Sequence, residues 1–217
     1  MFVISGVVCA VAVVSDFLEW QLMDRVIAGE QVSDAEATAS DDRQATVGLV
    51  QFALAVAGAI VFIRWMHAAY RNVEVVAPAE RRYRAGWAIG SWFVPIMNLF
   101  RPKQMVNDIW RAGGRDAQDA RPGGLLLGWW LLWLLSSFIV NTAARGLYGS
   151  ETDDEIRTGS ILYLISDAMT IVCAMLAILV VLRGTDRLDA KAAATPPPPP
   201  APEPDLLAPE RPAGAPA

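Results

Sequence analysis

Five polar residues stand inside stretches that are otherwise almost wholly apolar: Asp16, Glu19, Gln51, Asn141 and Asp167. A carboxyl held away from water must meet a proton, a cation or a hydrogen-bond donor, because burying a bare charge is costly. Spacing strengthens the set. Ser5, Cys9, Ala12, Asp16 and Glu19 follow one another at three- and four-residue intervals, the register of one helical face. Around Asp167 the residues Ser160, Tyr163, Thr170 and Ala174 share a face in the same way, and Gln51, Ala55 and Ala59 form a third small-residue stripe. Small residues at these intervals let helices pack closely. The pattern is consistent with an acidic pocket between helices that takes a cation or a proton, closed by Arg145 and Arg157, or with interhelical hydrogen bonds that only set register.

The elements that must position these residues are four apolar runs, at about 2–22, 46–66, 125–144 and 159–182. Each approaches the ~20 residues a helix needs to cross ~30 Å of hydrocarbon. Alternating strand patterns are missing, and backbone groups in lipid must pair within their own segment, so the expectation is an all-α membrane bundle of four spans. The 217 residues are 54% hydrophobic, and the formal net charge of −5 conceals strong segregation. Residues 64–123 hold ten of the 18 Lys and Arg, whereas residues 23–45 hold two against six acids and residues 145–157 two against four. Basic loops stay in the cytoplasm. The expected arrangement therefore has both termini and the middle segment on the cytoplasmic side of a bacterial cell membrane, with two short acidic loops outside.

Enzymatic chemistry finds no footing. There is one histidine, His67, and two isolated cysteines, Cys9 and Cys173. Phosphate-binding loops, HExxH and G-x-S-x-G elbows are all lacking, so no catalytic residue, metal site or cofactor is assigned. Carboxylate pairs occur only in acidic loops, where they read as solvated charge, and nothing points to nucleic acid.

The segment between the second and third runs is the most informative. Ala77–Pro78 ends the inward continuation of the second helix. Pro102 suits a first helical turn, and Met105, Val106, Ile109 and Trp110 then form one apolar stripe, with Lys103, Asn107, Asp108 and Arg111 off it and Gly113–Gly114 as the stop. Within residues 86–112, GWAIGSWFVPIMNLFRP is greasy, aromatic and broken by Pro95. It reads as a half-buried interfacial or re-entrant element, with Phe93, Ile96, Leu99 and Phe100 in the acyl boundary, Asn98 pairing with freed backbone groups and Arg101 holding a phosphate or carboxylate. Its role is either an anchor for the loop or a plug at the inner end of a pathway. Seven of the eight tryptophans, all but Trp20, fall near this side, which favours contact with anionic inner-leaflet lipid.

The string from Trp92 to Pro102, W-F-V-P-I-M-N-L-F-R-P, followed by Trp110 and preceded by W-M-H-A-A-Y-R-N from Trp65 to Asn72, carries a resemblance. It is similar to the domain of unknown function 4328 group, multi-pass membrane proteins common in actinobacteria, over roughly residues 46–185. The resemblance implies a multi-helix membrane domain and no activity. Its motif positions here are Trp92, Phe93, Pro95, Asn98, Arg101 and Pro102.

Residues 1–185 thus form the expected transmembrane domain, and residues 186–217 a Pro/Ala-rich tail. The tail has too little apolar content to offset its ordering entropy, so it is expected to be disordered. Pro196–Pro200 favours an extended helix, either as a docking peptide for a protein partner or as a plain solvated tail. The leading expectation is a non-enzymatic membrane scaffold or accessory protein; the alternative is a small transporter, channel or sensor built on the acidic pocket.

Overall fold

The computed structural model describes residues 2–148 and 152–194, with the side chains of residues 2–10, 148 and 153 left out. Its described residues are helical or irregular, without a strand. The elements are α1 (Phe2–Ile27), α2 (Asp34–Val76), α3 (Trp87–Gly90), α4 (Pro95–Asn98), α5 (Arg101–Ala112), α6 (Gly124–Leu134), α7 (Asn141–Tyr148) and α8 (Asp153–Ala194). A 3₁₀ turn, Pro78–Glu80, follows α2, and a π-helical segment, Leu135–Val140, joins α6 to α7.

Three helical stretches among the described residues are long and apolar enough to cross a membrane: α2, the α6–π–α7 unit over Gly124–Leu147, and α8. Four were expected. The first expected span coincides with α1, but most of its apolar run falls on residues 2–10, whose side chains lie outside the description. The apolar side chains of the long helices point outward. Leu49 is 69% exposed and Phe52 68%. An outer surface of this kind matches hydrocarbon rather than water.

α1 and α2 form an antiparallel pair. The expected acidic loop of residues 23–45 is mostly helix, because a capping box starts α2 early: Ser33 Oγ accepts from the Glu36 N–H, and Glu36 Oε2 accepts from the Ser33 N–H. Gly29, with φ +79°, supplies the left-handed turn that ends α1. α8 packs against α1, α2, α5, α6 and α7 and is the mast of the bundle.

The tightest packing lies at one end. Met66, Tyr70 and Val73 of α2, Met105, Val106 and Ile109 of α5, Leu126 and Trp129 of α6, and Val180 and Leu188 of α8 share one core. Here α8 runs on to Ala194, so the tail boundary expected at residue 186 falls too early. Leu188 is buried, and Arg187 stacks 4.4 Å from the Trp110 ring and pairs with Asp119 at 2.9 Å. A Cβ on Gly113 would sit 2.6 Å from Arg187 Cβ, so only glycine lets α8 approach α5 this closely. The remaining tail, residues 195–217 with Pro196–Pro200, lies outside the described residues.

Candidate functional site

Two polar clusters mark the two ends of the bundle. At the Glu19 end, α1 offers Ser15, Asp16 and Glu19, all buried. α2 answers with Ser40, Arg43, Gln44 and Gln51, residues that helical spacing places on one face. Ser40 donates to Glu19, and Arg43 Nη2 lies 3.7 Å from Glu19 Oε2 and 2.7 Å from Ser40 Oγ. Ser15 Oγ donates to Gln44 Oε1 at 3.0 Å, and Gln44 Nε2 reaches Asp16 Oδ1 at 3.5 Å. Deeper along the bundle, Gln51 Nε2 donates to Asp167 Oδ2 at 2.6 Å. The Asp167 carboxyl also lies within hydrogen-bonding reach of Asp16. Asp16 Oδ2 is buried and receives no hydrogen bond from the donors around it.

Four of the five expected intramembrane polar residues therefore meet: Asp16, Glu19, Gln51 and Asp167. Asn141 does not join them. It opens α7 behind the π segment, and no hydrogen bond ties it to the cluster. Nor does Arg157 close the pocket as expected. It pairs with Asp24 at 3.0 Å and lies 5.8 Å from the Trp20 ring. Arg43, Ser40 and Gln44 are the residues sequence reasoning misses. Their signal is the four-residue step from Ser40 to Gln44 and the seven-residue step to Gln51, hidden by reading this region as a loop.

At the other end the charge balance is reversed. Asp108, expected on the open side of α5, is fully buried. Arg82 Nη2 reaches its Oδ1 at 2.9 Å and Arg111 Nη1 at 3.1 Å, while the Tyr70 hydroxyl donates to Oδ2 at 3.2 Å. That hydroxyl also accepts from the N–H groups of Arg82 and Tyr83, at 3.2 and 3.0 Å. One tyrosine on α2 thus fixes both the 81–84 strap and α5. Burial raises the Asp108 carboxyl above its ordinary value, against the pull of Arg82 and Arg111. Lys103 is half-buried; Nζ donates to Asn107 Oδ1 at 2.5 Å. Burial, then the neighbouring Arg111 charge, brings its ammonium down to about 8.

The motif segment sits beside this network. Pro95 breaks it into the short helices α3 and α4, as expected. Trp92 turns inward against Phe62, Trp130 and Trp133, at ring separations of 6.1, 6.4 and 5.5 Å. Pro102 is buried in the first turn of α5. Trp110 lies half-buried beneath Arg187. Phe93 and Ile96 face outward, 75% and 72% exposed, with Leu99 and Phe100 beside them. Two details differ from expectation. Arg101 does not project a free fork; it stacks over Tyr83 and Trp87, 4.7 and 4.3 Å from their rings. Asn98 Oδ1 is buried without a donor rather than paired with freed backbone.

Shallow concavities occur along α8 near its C-terminal end, one lined by Trp110, Arg183, Asp186 and Arg187 and one by Asn72, Val75, Val76, Leu188, Asp189 and Ala192. Neither touches Asp16 or Asp167. Cys173 is a buried free thiol, and no group of three or more metal-ligating side chains occurs among the described residues.

Residues 28–186 match the family described as a domain of unknown function, DUF4328. No curated protein and no solved structure gives a significant match.

Proposed function

Taking as premise that the chain belongs to the DUF4328 family, we propose that it is a non-enzymatic scaffold or accessory protein of the bacterial cytoplasmic membrane. In this reading α1 is a fourth span beside the three apolar helices, both termini are cytoplasmic, and the Asp108 end is an inner platform that contacts lipid. The Pro-rich tail offers a docking peptide to a protein partner.

The observation that carries the reading is the two-sided motif segment. Trp92 and Pro102 are fastened into the bundle, while Phe93, Ile96, Leu99 and Phe100 form an outward apolar edge. A rigid helix network behind an exposed apolar edge suits shallow insertion at the acyl boundary. The concentration of Lys and Arg in residues 64–123 supports a cytoplasmic position.

Cysteine labelling tests this directly. In a chain with Cys9 and Cys173 replaced by alanine, Ala79→Cys should react with a membrane-impermeant maleimide in inverted vesicles and not in intact cells. Phe93→Cys should resist labelling in both. Labelling of Phe93→Cys as fast as Ala79→Cys sinks the lipid-facing edge, and labelling of Ala79→Cys in intact cells reverses the orientation.

One observation favours a second reading. Asp16 and Asp167 face each other with an unsatisfied carboxylate oxygen between helices. Such a pair suits a shared proton or a small cation, the basis of a transporter or sensor. Proton or cation flux into reconstituted vesicles that disappears in Asp167→Asn would replace the scaffold reading with this one.

A further inference from the structure

The outer face of α5 carries more positive charge than the protein itself neutralises. Lys103, Asn107 and Arg111 stand at four-residue intervals along one ridge of the helix. Lys103 donates to Asn107, and Arg111 repels Lys103 closely enough to disfavour its ammonium. Arg82 reaches over from the 81–84 strap to the same Asp108 oxygen that Arg111 holds. Two guanidiniums therefore converge on one carboxylate, and the Lys103 ammonium on the same ridge has no carboxylate of its own among the described residues.

Neighbouring acids do not make up the difference. Glu74 on α2 is occupied by Arg81, and Asp119 by Arg115 and Arg187. Tyr70, the remaining titratable group facing Asp108, donates to that carboxylate and adds no charge. A half-buried ammonium held, among the described residues, by a neutral amide alone, two turns from a guanidinium on the same ridge, is a site that lacks its anion. The tetrahedral oxygens of a phosphate group match an ammonium, a guanidinium and an amide N–H placed along one ridge.

We propose that Lys103, Asn107, Arg111 and Arg82 form a phosphate-binding site, whose occupant is the phosphate of an anionic lipid headgroup or a free phosphate ion. Asn107 turns its amide N–H toward the ligand while its carbonyl holds Lys103. Arg111 and Arg82 each spend one N–H on Asp108 and keep others for the anion. The inference rests on the inner-platform reading only for the source of the phosphate. Labelling at Phe93 and ligand binding at Lys103 can each fail without the other.

The test uses the full chain in detergent and in nanodiscs. Calorimetry with inorganic phosphate at fixed neutral pH, and native mass spectrometry with phosphatidylglycerol against phosphatidylcholine, are run on the parent chain, Lys103→Gln, Lys103→Arg and the distant control Arg121→Gln. Lys103→Gln should weaken binding about tenfold, the loss of one charge-assisted hydrogen bond. Lys103→Arg and Arg121→Gln should bind like the parent. Binding of both probes supports a site for phosphate as such, phosphatidylglycerol alone a headgroup site, and inorganic phosphate alone a soluble-anion site.

A pH series with phosphatidylglycerol, whose phosphodiester does not titrate near neutrality, adds a readout that misfolding cannot imitate. Affinity of the parent should fall from pH 7 to 9 as Lys103 loses its proton, and that of Lys103→Arg should stay flat. The proposal is overturned if neither probe binds, if phosphatidylcholine binds as tightly as phosphatidylglycerol while inorganic phosphate gives no heat, or if Lys103→Gln binds as well as the parent.

Discussion

At the Asp108 end a single carboxylate is shared by two guanidiniums and a tyrosine hydroxyl; at the Glu19 end three carboxyls gather, of which Glu19 meets the Arg43 guanidinium while Asp16 and Asp167 meet the amides of Gln44 and Gln51. Both clusters join different helices, and in both the paired carboxylate is buried while its guanidiniums keep partial access to water. They differ in what is left over. The Asp108 end has surplus cations, with Lys103 beside Arg111 and Arg101 stacked on two rings. The Glu19 end has surplus carboxyl oxygen, with Asp16 Oδ2 lacking a donor. Buried charge is stable only when balanced. The surplus at each end therefore indicates what that end would recruit: anions at one, protons or cations at the other.

Removing a carboxyl from each end should therefore have opposite effects. Asp108→Ala leaves Arg82 and Arg111 without their shared counter-ion; both guanidiniums keep solvent access, 43% and 32% exposed, so the loss should be about 1.5–3 kcal/mol, that of hydrogen bonds to a charged group. Thermal unfolding in detergent should show the largest fall of any single carboxylate replacement. A variant as stable as the parent would mean that Asp108 is not the hub of this end. Asp167→Asn, by contrast, removes one of two facing acids and leaves an amide that can donate to Asp16. Stability should be unchanged or higher by up to about 1 kcal/mol, the net value of one added hydrogen bond. A loss as large as that of Asp108→Ala would show that Asp167 is a paired structural charge and would erase the contrast between the ends.

The acid-rich end was the more legible in sequence, and the reason is physical. A carboxyl inside an apolar run has no solvent to explain it, so Asp16, Glu19 and Asp167 stand out by themselves. Their partners do not. Ser40, Arg43 and Gln44 lie among six acids in residues 23–45 and pass for solvated loop until the Ser33–Glu36 capping box extends α2 over them. Asp108 is harder still. On a helix with one apolar stripe, an off-stripe acid is normally exposed. Its burial depends on Tyr70, 38 residues away, and on a strap whose course no local pattern encodes. The Trp92 to Pro102 string was legible as a family signature and as a break in helix, but not as a two-sided piece with Trp92 inward and Phe93 outward. The helical ending of residues 186–194 shows the same limit. Apolar length locates a helix crossing lipid, whereas its continuation past the membrane is set by contacts such as Arg187 on Trp110.

The smallest expected effect lies between the two extremes, at a pair that is already balanced. Asp119 accepts from Arg187 and from the N–H and guanidinium of Arg115, which together hold its carboxyl well below the ordinary value, at about 2. A carboxylate whose folded-state value is depressed adds stability that is fully present above its unfolded value. That stability is lost as the pH falls through the folded one. The 113–120 loop should thus stay docked on α8 at neutral pH and loosen only between about pH 4 and 2. The backbone N–H of Arg115, which donates to Asp119 Oδ2 at 3.1 Å, reports this directly. Its amide resonance in the labelled protein should titrate with a midpoint near 2 in the parent and should not titrate in Asp119→Asn. A midpoint near 4 would mean that Arg187 and Arg115 do not hold Asp119 at all.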